Sequence, residues 1–218
     1  MYLTIQPKTS SEYEPQWVAD LLRMYLRWAD ARNLESRLIY CCHDFLGIAD
    51  VTLHITTTDD FLLQEQGIHI LRQVPTWHNP QELRHFMHAC VTVYPDANRP
   101  IPDEALRIES YTPATACGQS RQRTENLVRI THLPTGLAVQ ANQERSLLRN
   151  RNNALGYLAA RLALTEPPCP RHHEYVLNPT SRKRYKVFCV TDLGTALYHS
   201  TDPDAVLDGA IPRVPMGV

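Results

Sequence analysis

Hydrophobic periodicity predicts a mixed α/β (α+β) protein in two parts, an α/β sandwich followed by a small domain built from a β-hairpin and a helix. Three observations carry this. Residues 16–33 repeat apolar side chains at helical spacing, with Trp17, Leu21, Leu22, Tyr25, Trp28 and Ala29 on one face. Runs such as Val51, Leu53 and Ile55 alternate at the spacing of a strand. Pro100 and Pro102 interrupt the pattern, and beyond them a turn at Pro134-Thr135-Gly136 joins two alternating runs ahead of a second helical stretch.

In chain order, residues 2–6 alternate weakly and predict a short strand. Ser10 and Ser11 with Glu14 supply helix-start chemistry for the helix over 16–33. Strands are expected over 36–42 and 51–57, then a short helix over 59–66 with an acidic first turn. Two more strands, 67–74 and 88–94, flank a long polar loop. Past the prolines come strands over 105–111, 127–133 and 137–140, with residues 112–123 as a loop. A helix over 143–164 follows, with Leu148, Leu155, Leu158 and Leu162 along one face. Pro167, Pro168 and Pro170 mark a linker, and strands over 174–177 and 184–191 precede a proline-containing tail. The expected division is therefore 1–103, 104–166 and a C-terminal segment 167–218 that packs back on the first part.

The 218 residues are 43% hydrophobic and 21% charged, which excludes a disordered or collagen-like chain. The net charge of -1 conceals a split. Residues 1–103 carry 8 Lys and Arg against 13 Asp and Glu, whereas residues 117–161 carry seven arginines and two glutamates. Concentrated basic charge is a nucleic-acid signal. Only Lys8, Lys183 and Lys186 are lysines, and Arg suits phosphate and base stacking because its planar fork donates in pairs. Arg145, Arg149 and Arg151 crowd the first turns of the second helix, where they oppose its dipole. A polyanionic partner would offset that cost.

The N-terminus lacks a basic segment followed by an apolar core, and no apolar run reaches membrane-spanning length, so a cytoplasmic protein with reduced thiols is expected. Six cysteines are scattered without a C-x-x-C pair. Cys41-Cys42-His43-Asp44, and Cys169 with His172 and His173, read either as metal ligands or as strand cysteines and a polar loop. Their spacing fits no closed zinc site, so neither metal nor cofactor is expected.

Residues 111–164 carry a specific likeness. The run Ala116-Cys117-Gly118-Gln119-Ser120-Arg121-Gln122-Arg123-Thr124-Glu125, then Val128-Arg129-Ile130-Thr131-His132-Leu133-Pro134-Thr135-Gly136, continues through Gln140, Gln143-Glu144-Arg145-Ser146 and Asn150 to Ala160-Arg161-Leu162. It resembles the catalytic domain of bacterial class I peptide chain release factors. Upstream, the run 21–29, Gly67-Ile68-His69, Arg84-His85 and Val93-Tyr94-Pro95 are similar to the same family's codon-reading domain, and residues 204–209 add a weaker echo. The likeness covers most of the chain and is strongest to the UGA-reading branch. It implies that the family's N-terminal helical domain is absent.

The resemblance implies a ribosome-binding protein acting on the ester of peptidyl-tRNA. In the family a Gly-Gly-Gln loop enters the peptidyl-transferase centre, and the glutamine backbone N–H stabilises charge developing on the ester. Glycines suit that loop because they take unusual dihedrals and leave room for substrate. Here Gln119 and Gly118 match, but Cys117 replaces the first glycine, and Ser120-Arg121-Gln122 replaces the usual histidine-valine-asparagine. A non-glycine residue forced into a left-handed conformation costs about 1–2 kcal/mol. Arg121, Arg123, Arg129, Arg145, Arg149 and Arg151 match the family's face toward ribosomal RNA. For codon reading, the Ser-Pro-Phe tripeptide is replaced by Val74-Pro75-Thr76; His85 matches the base-stacking histidine, and Phe86 stands at the adjacent threonine position. Trp77, His78, Phe86 and His88 either stack on bases or pack on the sheet.

Several functional readings stay open. The first is a release-factor-like protein that binds the ribosomal A site and promotes peptidyl-tRNA hydrolysis through Gln119, with altered or lost stop-codon specificity. Its partners are the ribosome, peptidyl-tRNA and mRNA. The second is a non-catalytic paralogue binding ribosome or structured RNA in rescue, resistance or RNA protection. A third makes Cys117 a nucleophile, its thiol activated by Arg121 and Arg123, against the plainer reading of a drifted glycine.

Overall fold

The computed structural model describes residues 1–9, 14–58, 60–73, 86–111, 126–164, 171–177, 184–191 and 194–197. The elements in order are β1 (Tyr2–Pro7), α1 (Glu14–Ala31), β2 (Ser36–His43), β3 (Ile48–Ile55), a 3-10 turn (Asp60–Glu65), β4 (Gly67–Gln73) and β5 (Phe86–Tyr94). After a second 3-10 turn (Asp103–Ala105) come β6 (Leu106–Tyr111), β7 (Leu127–His132), β8 (Leu137–Ala141) and α2 (Leu147–Ala163). Strands β9 (Arg171–Leu177), β10 (Arg184–Thr191) and β11 (Gly194–Leu197) complete the described chain. The mixed α/β class is as expected from the periodicity. Strand β11 falls in what the sequence reads as a tail.

Two sheets form. The larger has eight strands in the order β11-β10-β9-β4-β5-β1-β3-β2, and the smaller has three, β6-β7-β8. Every described pairing is antiparallel except β4 with β9, where Gly67 to Gln73 run parallel to Arg171 to Leu177. The C-terminal strands thus extend the sheet that the N-terminal half begins.

One apolar cluster lies beneath α1. Trp17, Val18, Leu21, Tyr25 and Trp28 meet Leu3 and Ile5 of β1, Val51, Leu53 and Ile55 of β3, and Val91 and Val93 of β5. Burying side chains of this size contributes about 1.5–3 kcal/mol each. On the opposite face, Tyr2 and Ile39 join Val128, Ile130, Val139, Ala141, Ala154, Tyr157 and Leu158 in a second cluster. Strand β1 is therefore covered on both faces, with Leu3 and Ile5 toward α1 and Tyr2 toward α2. That is why its alternation is weak in the sequence.

Helix α2 corrects two expectations. Its N-cap is Ser146, whose hydroxyl accepts from Arg149 N at 3.4 Å, so residues 143–146 precede the helix and Arg145 is outside its first turn. Its buried residues are Asn150, Ala154, Tyr157, Leu158, Ala159 and Ala160, and all but Ala159 fall in one stripe. At about 100° per residue Leu148 faces away from that stripe, and it is 63% exposed. Leu155 and Leu162 lie on its flank, half-buried against the cluster. Spacing by sevens selects the flank because a straight helix drifts from a heptad.

At the start of α1, Ser10 and Ser11 lie outside the described residues. The buried Glu14 carboxylate accepts from Thr9 N at 2.6 Å, Thr9 Oγ1 at 2.8 Å and His88 N at 3.2 Å, fixing the helix start to β1 and β5. The turn at Pro134-Thr135-Gly136 closes with Gly136 N donating to His132 O at 2.8 Å, and Gly136 has a φ of 70° that glycine takes without strain. Among the described residues, no helix is long and apolar enough to cross a membrane.

Candidate functional site

Residues 112–125, which include Cys117, Gly118, Gln119, Arg121 and Arg123, lie outside the described residues, but both ends of that segment are described. Tyr111 of β6 is paired with Leu127 of β7, so the chain leaves and returns at neighbouring positions. The returning end is held by Asn150, a polar side chain buried at the start of α2. Its Nδ2 donates to Asn126 O and, at 2.9 Å, to Glu144 O, while its Oδ1 accepts from Glu144 N at 3.0 Å. Asn126 Nδ2 reaches Asn142 O at 3.4 Å. One buried amide thus satisfies three backbone groups and ties Asn126, just before β7, to the helix start.

The arginines divide into separate groups. Arg145 and Arg149 are exposed and Arg151 is half-buried, all around the start of α2. Glu144 lies 3.6 Å from Arg149 and Asp103 lies 3.7 Å from Arg151. These carboxylates supply part of the compensation that the sequence alone assigns to a polyanion, although pairs this exposed contribute little. Arg129 is exposed on β7 between the buried Val128 and Ile130, so it lies on the sheet face turned away from α2. Its register neighbours are Glu109 and Gln140.

Arg161 is committed to packing. It donates to Ala138 O at 3.1 Å and lies over the rings of Tyr94 at 5.8 Å and Tyr157 at 5.6 Å. Counting it with the basic stretch overstates the charge presented to a partner. Its attraction also reaches Asp50, whose carboxyl is nonetheless held above its ordinary pKa because burial dominates over Gln6, Arg161 and the Val51 backbone.

The expected codon-reading residues Pro75, Thr76 and His85, with Trp77 and His78, lie outside the described residues. Their segment leaves at β4 and returns at β5, where Arg72 pairs with Phe86. Phe86 is 44% exposed, whereas His88 donates its backbone N–H to Glu14.

The Cys41 to Asp44 run forms no metal group among the described residues. Burial, then Cys42 and Asp50, push the Cys41 thiol up to about 11, which keeps it protonated. Asp44 instead shapes the β2–β3 turn, its Oδ1 accepting from Leu46 N at 2.8 Å and Gly47 N at 2.9 Å. A different group does assemble. Glu65, His69 and His173 are buried together, and the fold supplies that meeting through the parallel pairing of β4 with β9. His173 and His69 each fall in runs singled out in the sequence, but nothing there pairs them, and Glu65 is not singled out.

Two family models match in chain order, the PCRF domain over residues 1–89 and the RF-1 domain over residues 95–186. The chain belongs to the bacterial class I peptide chain release factor family. Its likeness runs to the release factor 2 branch. Peptide chain release factor 2 of Thermosipho africanus is 36% identical over 168 residues, covering 74% of this chain and 45% of that protein. Peptide chain release factor 2 of Petrotoga mobilis is 32% identical over 235 aligned positions, covering 96% of this chain and 62% of that protein. Among solved structures, RF2 of Thermus thermophilus superposes with a TM-score of 0.73 at 27% identity, covering 96% of this chain and 64% of that one. The chain therefore spans about half to three-fifths of these curated relatives' length. Asn126 and Asn150 join the start of β7 to the start of α2, near the exposed Arg145 and Arg149.

Proposed function

We propose that this protein binds the ribosomal A site and promotes hydrolysis of the peptidyl-tRNA ester, with altered or lost stop-codon specificity. The observation that carries this reading is the Asn150 clamp. It anchors the base of the segment bearing Gly118 and Gln119 beside the exposed Arg145 and Arg149, within a chain that matches both family models in order. In this reading residues 104–166 form the catalytic unit, and residues 1–103 with the C-terminal strands form the codon-side scaffold. The Gln119 backbone N–H donates to the oxygen on which charge develops, and attack is by water. Cys117 narrows the space that a glycine would leave, so release is slow. Arg121, Arg123, Arg129, Arg145, Arg149 and Arg151 contact phosphates of ribosomal RNA, and His85 with Pro75 and Thr76 faces mRNA. The setting is cytoplasmic.

The test is peptide release from ribosomes carrying peptidyl-tRNA with a stop, a sense or no codon in the A site. Release that falls with Gln119→Ala, persists with Cys117→Ala and rises with Cys117→Gly supports the reading. Binding without release above buffer overturns it in favour of a non-catalytic ribosome- or RNA-binding paralogue. Release abolished by Cys117→Ser would move the chemistry to the thiol.

A further inference from the structure

We propose that Phe45, at the tip of the β2–β3 hairpin, stacks on an unpaired base of small-subunit ribosomal RNA, a contact that rests on the A-site reading above. Phe45 is a large aromatic left 94% exposed, with Leu46 beside it 42% exposed. The turn that carries the ring is fixed on both sides. Asp44 N donates to Gly47 O at 2.9 Å, and the Asp44 carboxylate accepts from Leu46 N and Gly47 N. Gly47 has a φ of 143°, which favours glycine, and a Cβ there would come 3.1 Å from Pro15 Cβ, so the hairpin sits closely against the start of α1. An aromatic held on a rigid turn loses little freedom when it binds.

The place of the tip points to its partner. Ile48 opens β3 opposite His43, Pro7 closes β1, Phe86 opens β5 and Gln73 closes β4. By the antiparallel register these all lie at one end of the sheet, so the hairpin emerges where residues 74–85 leave and return. In the A-site reading that end faces mRNA. From the β4–β5 connection to the hairpin is three strand spacings in the order β4-β5-β1-β3-β2, or about 14 Å. Three stacked bases span only about 10 Å. The tip therefore falls outside one codon, on the ribosomal RNA around it.

The chemistry of the tip favours a base over a protein. A stable protein contact buries about 800 Å² on each partner around an apolar core. Phe45 and Leu46 form only a two-residue point beside the exposed His43 and Asp44. A base needs one ring face, and stacking on unstacked bases holds without sequence readout. Lys8, the one lysine of residues 1–103, is exposed just after β1 at this same end and adds a cation for phosphate.

The experiment measures binding of the full chain to ribosomes and to isolated small subunits, with chemical footprinting of the RNA. Phe45→Ala and Phe45→Leu should each weaken binding by about tenfold, the scale of one stacked base, while Phe45→Trp keeps it. The salt dependence should keep its slope, because no phosphate contact is lost. One small-subunit RNA base should be protected by the parent and by Phe45→Trp, and become reactive with Phe45→Leu. Thermal unfolding should be unchanged in all three variants, since the side chain is exposed. Parent affinity retained by Phe45→Ala overturns the contact. So does full affinity with Phe45→Leu, which marks an apolar pocket on a ribosomal protein, or a protected base that belongs to mRNA. A parent that binds no ribosome overturns the A-site reading and this contact with it, whereas variants that bind and release as the parent does overturn the contact alone.

Discussion

Asn142 lies against Cys41 as a strand would. Cys41 N donates to Asn142 Oδ1 at 3.1 Å, and Asn142 Nδ2 donates back to Cys41 O at 2.9 Å. With Asn142 N bonded to Ile39 O at 3.0 Å, one residue satisfies three groups on the edge of β2 and fastens the smaller sheet's last strand to the larger sheet. An edge left open there would offer its backbone to other chains.

Replacing Asn142 tests that junction. Asn142→Ala should cost about 1–3 kcal/mol, because two backbone groups lose their partner. Asn142→Asp should cost more, since it turns a carboxylate oxygen toward the Cys41 carbonyl. Urea unfolding of both variants gives the order, and an Asp variant as stable as the parent would contradict it.

Gly156 is set by Tyr2. A Cβ at Gly156 would collide with the Tyr2 hydroxyl, while the ring carbon behind it stays at ordinary contact distance. Gly156→Ala should therefore destabilise by about 1–3 kcal/mol despite alanine's better helix propensity. Tyr2→Phe should restore most of the loss in the double variant. A double-mutant cycle read by thermal unfolding checks it.

The arginines should separate by role. Removing Arg145, Arg149 and Arg151 to Gln should flatten the dependence of ribosome binding on salt, by about one in log–log slope for each phosphate no longer neutralised. Arg161→Gln should leave that slope unchanged and lower unfolding stability, because its guanidinium bonds Ala138 and covers Tyr94 and Tyr157. Binding titrations across KCl concentrations, paired with urea unfolding, distinguish the two classes.

Asp50 gives a signed pH effect. Burial raises its folded pKa above the unfolded value, so the folded state binds the proton more tightly. Its contribution is most favourable below the unfolded pKa and declines as pH rises through the folded one. Asp50→Asn should therefore gain stability relative to the parent near pH 7, and the gain should shrink toward pH 4. Unfolding at the two values measures the difference, and a gain that grew on acidification would reverse the assignment.

Much of the fold is legible residue by residue. The face of α1 from Trp17 to Ala29 is buried as its spacing demands, and the alternation of Val51, Leu53 and Ile55 places all three beneath it. The glycine turn at 136 follows from local chemistry. The face of α2 was less legible, since Leu148 is apolar yet exposed while Asn150 is polar yet buried. Apolar spacing cannot announce a buried amide whose partners are the backbone atoms of Asn126 and Glu144.

By itself the sequence determined the class, the order of most elements and the family, because these rest on local periodicity and on motifs of contiguous residues. The tertiary structure alone decided that Arg161 belongs to packing, that Asn142 closes the edge at Cys41, and that His173 meets His69. Each of those depends on which distant elements become neighbours: α2 with β8 and β5, the end of β8 with β2, and β9 with β4. No residue encodes the β4–β9 pairing locally: it brings Leu71 of β4 and Tyr175 of β9 into the one cluster beneath α1.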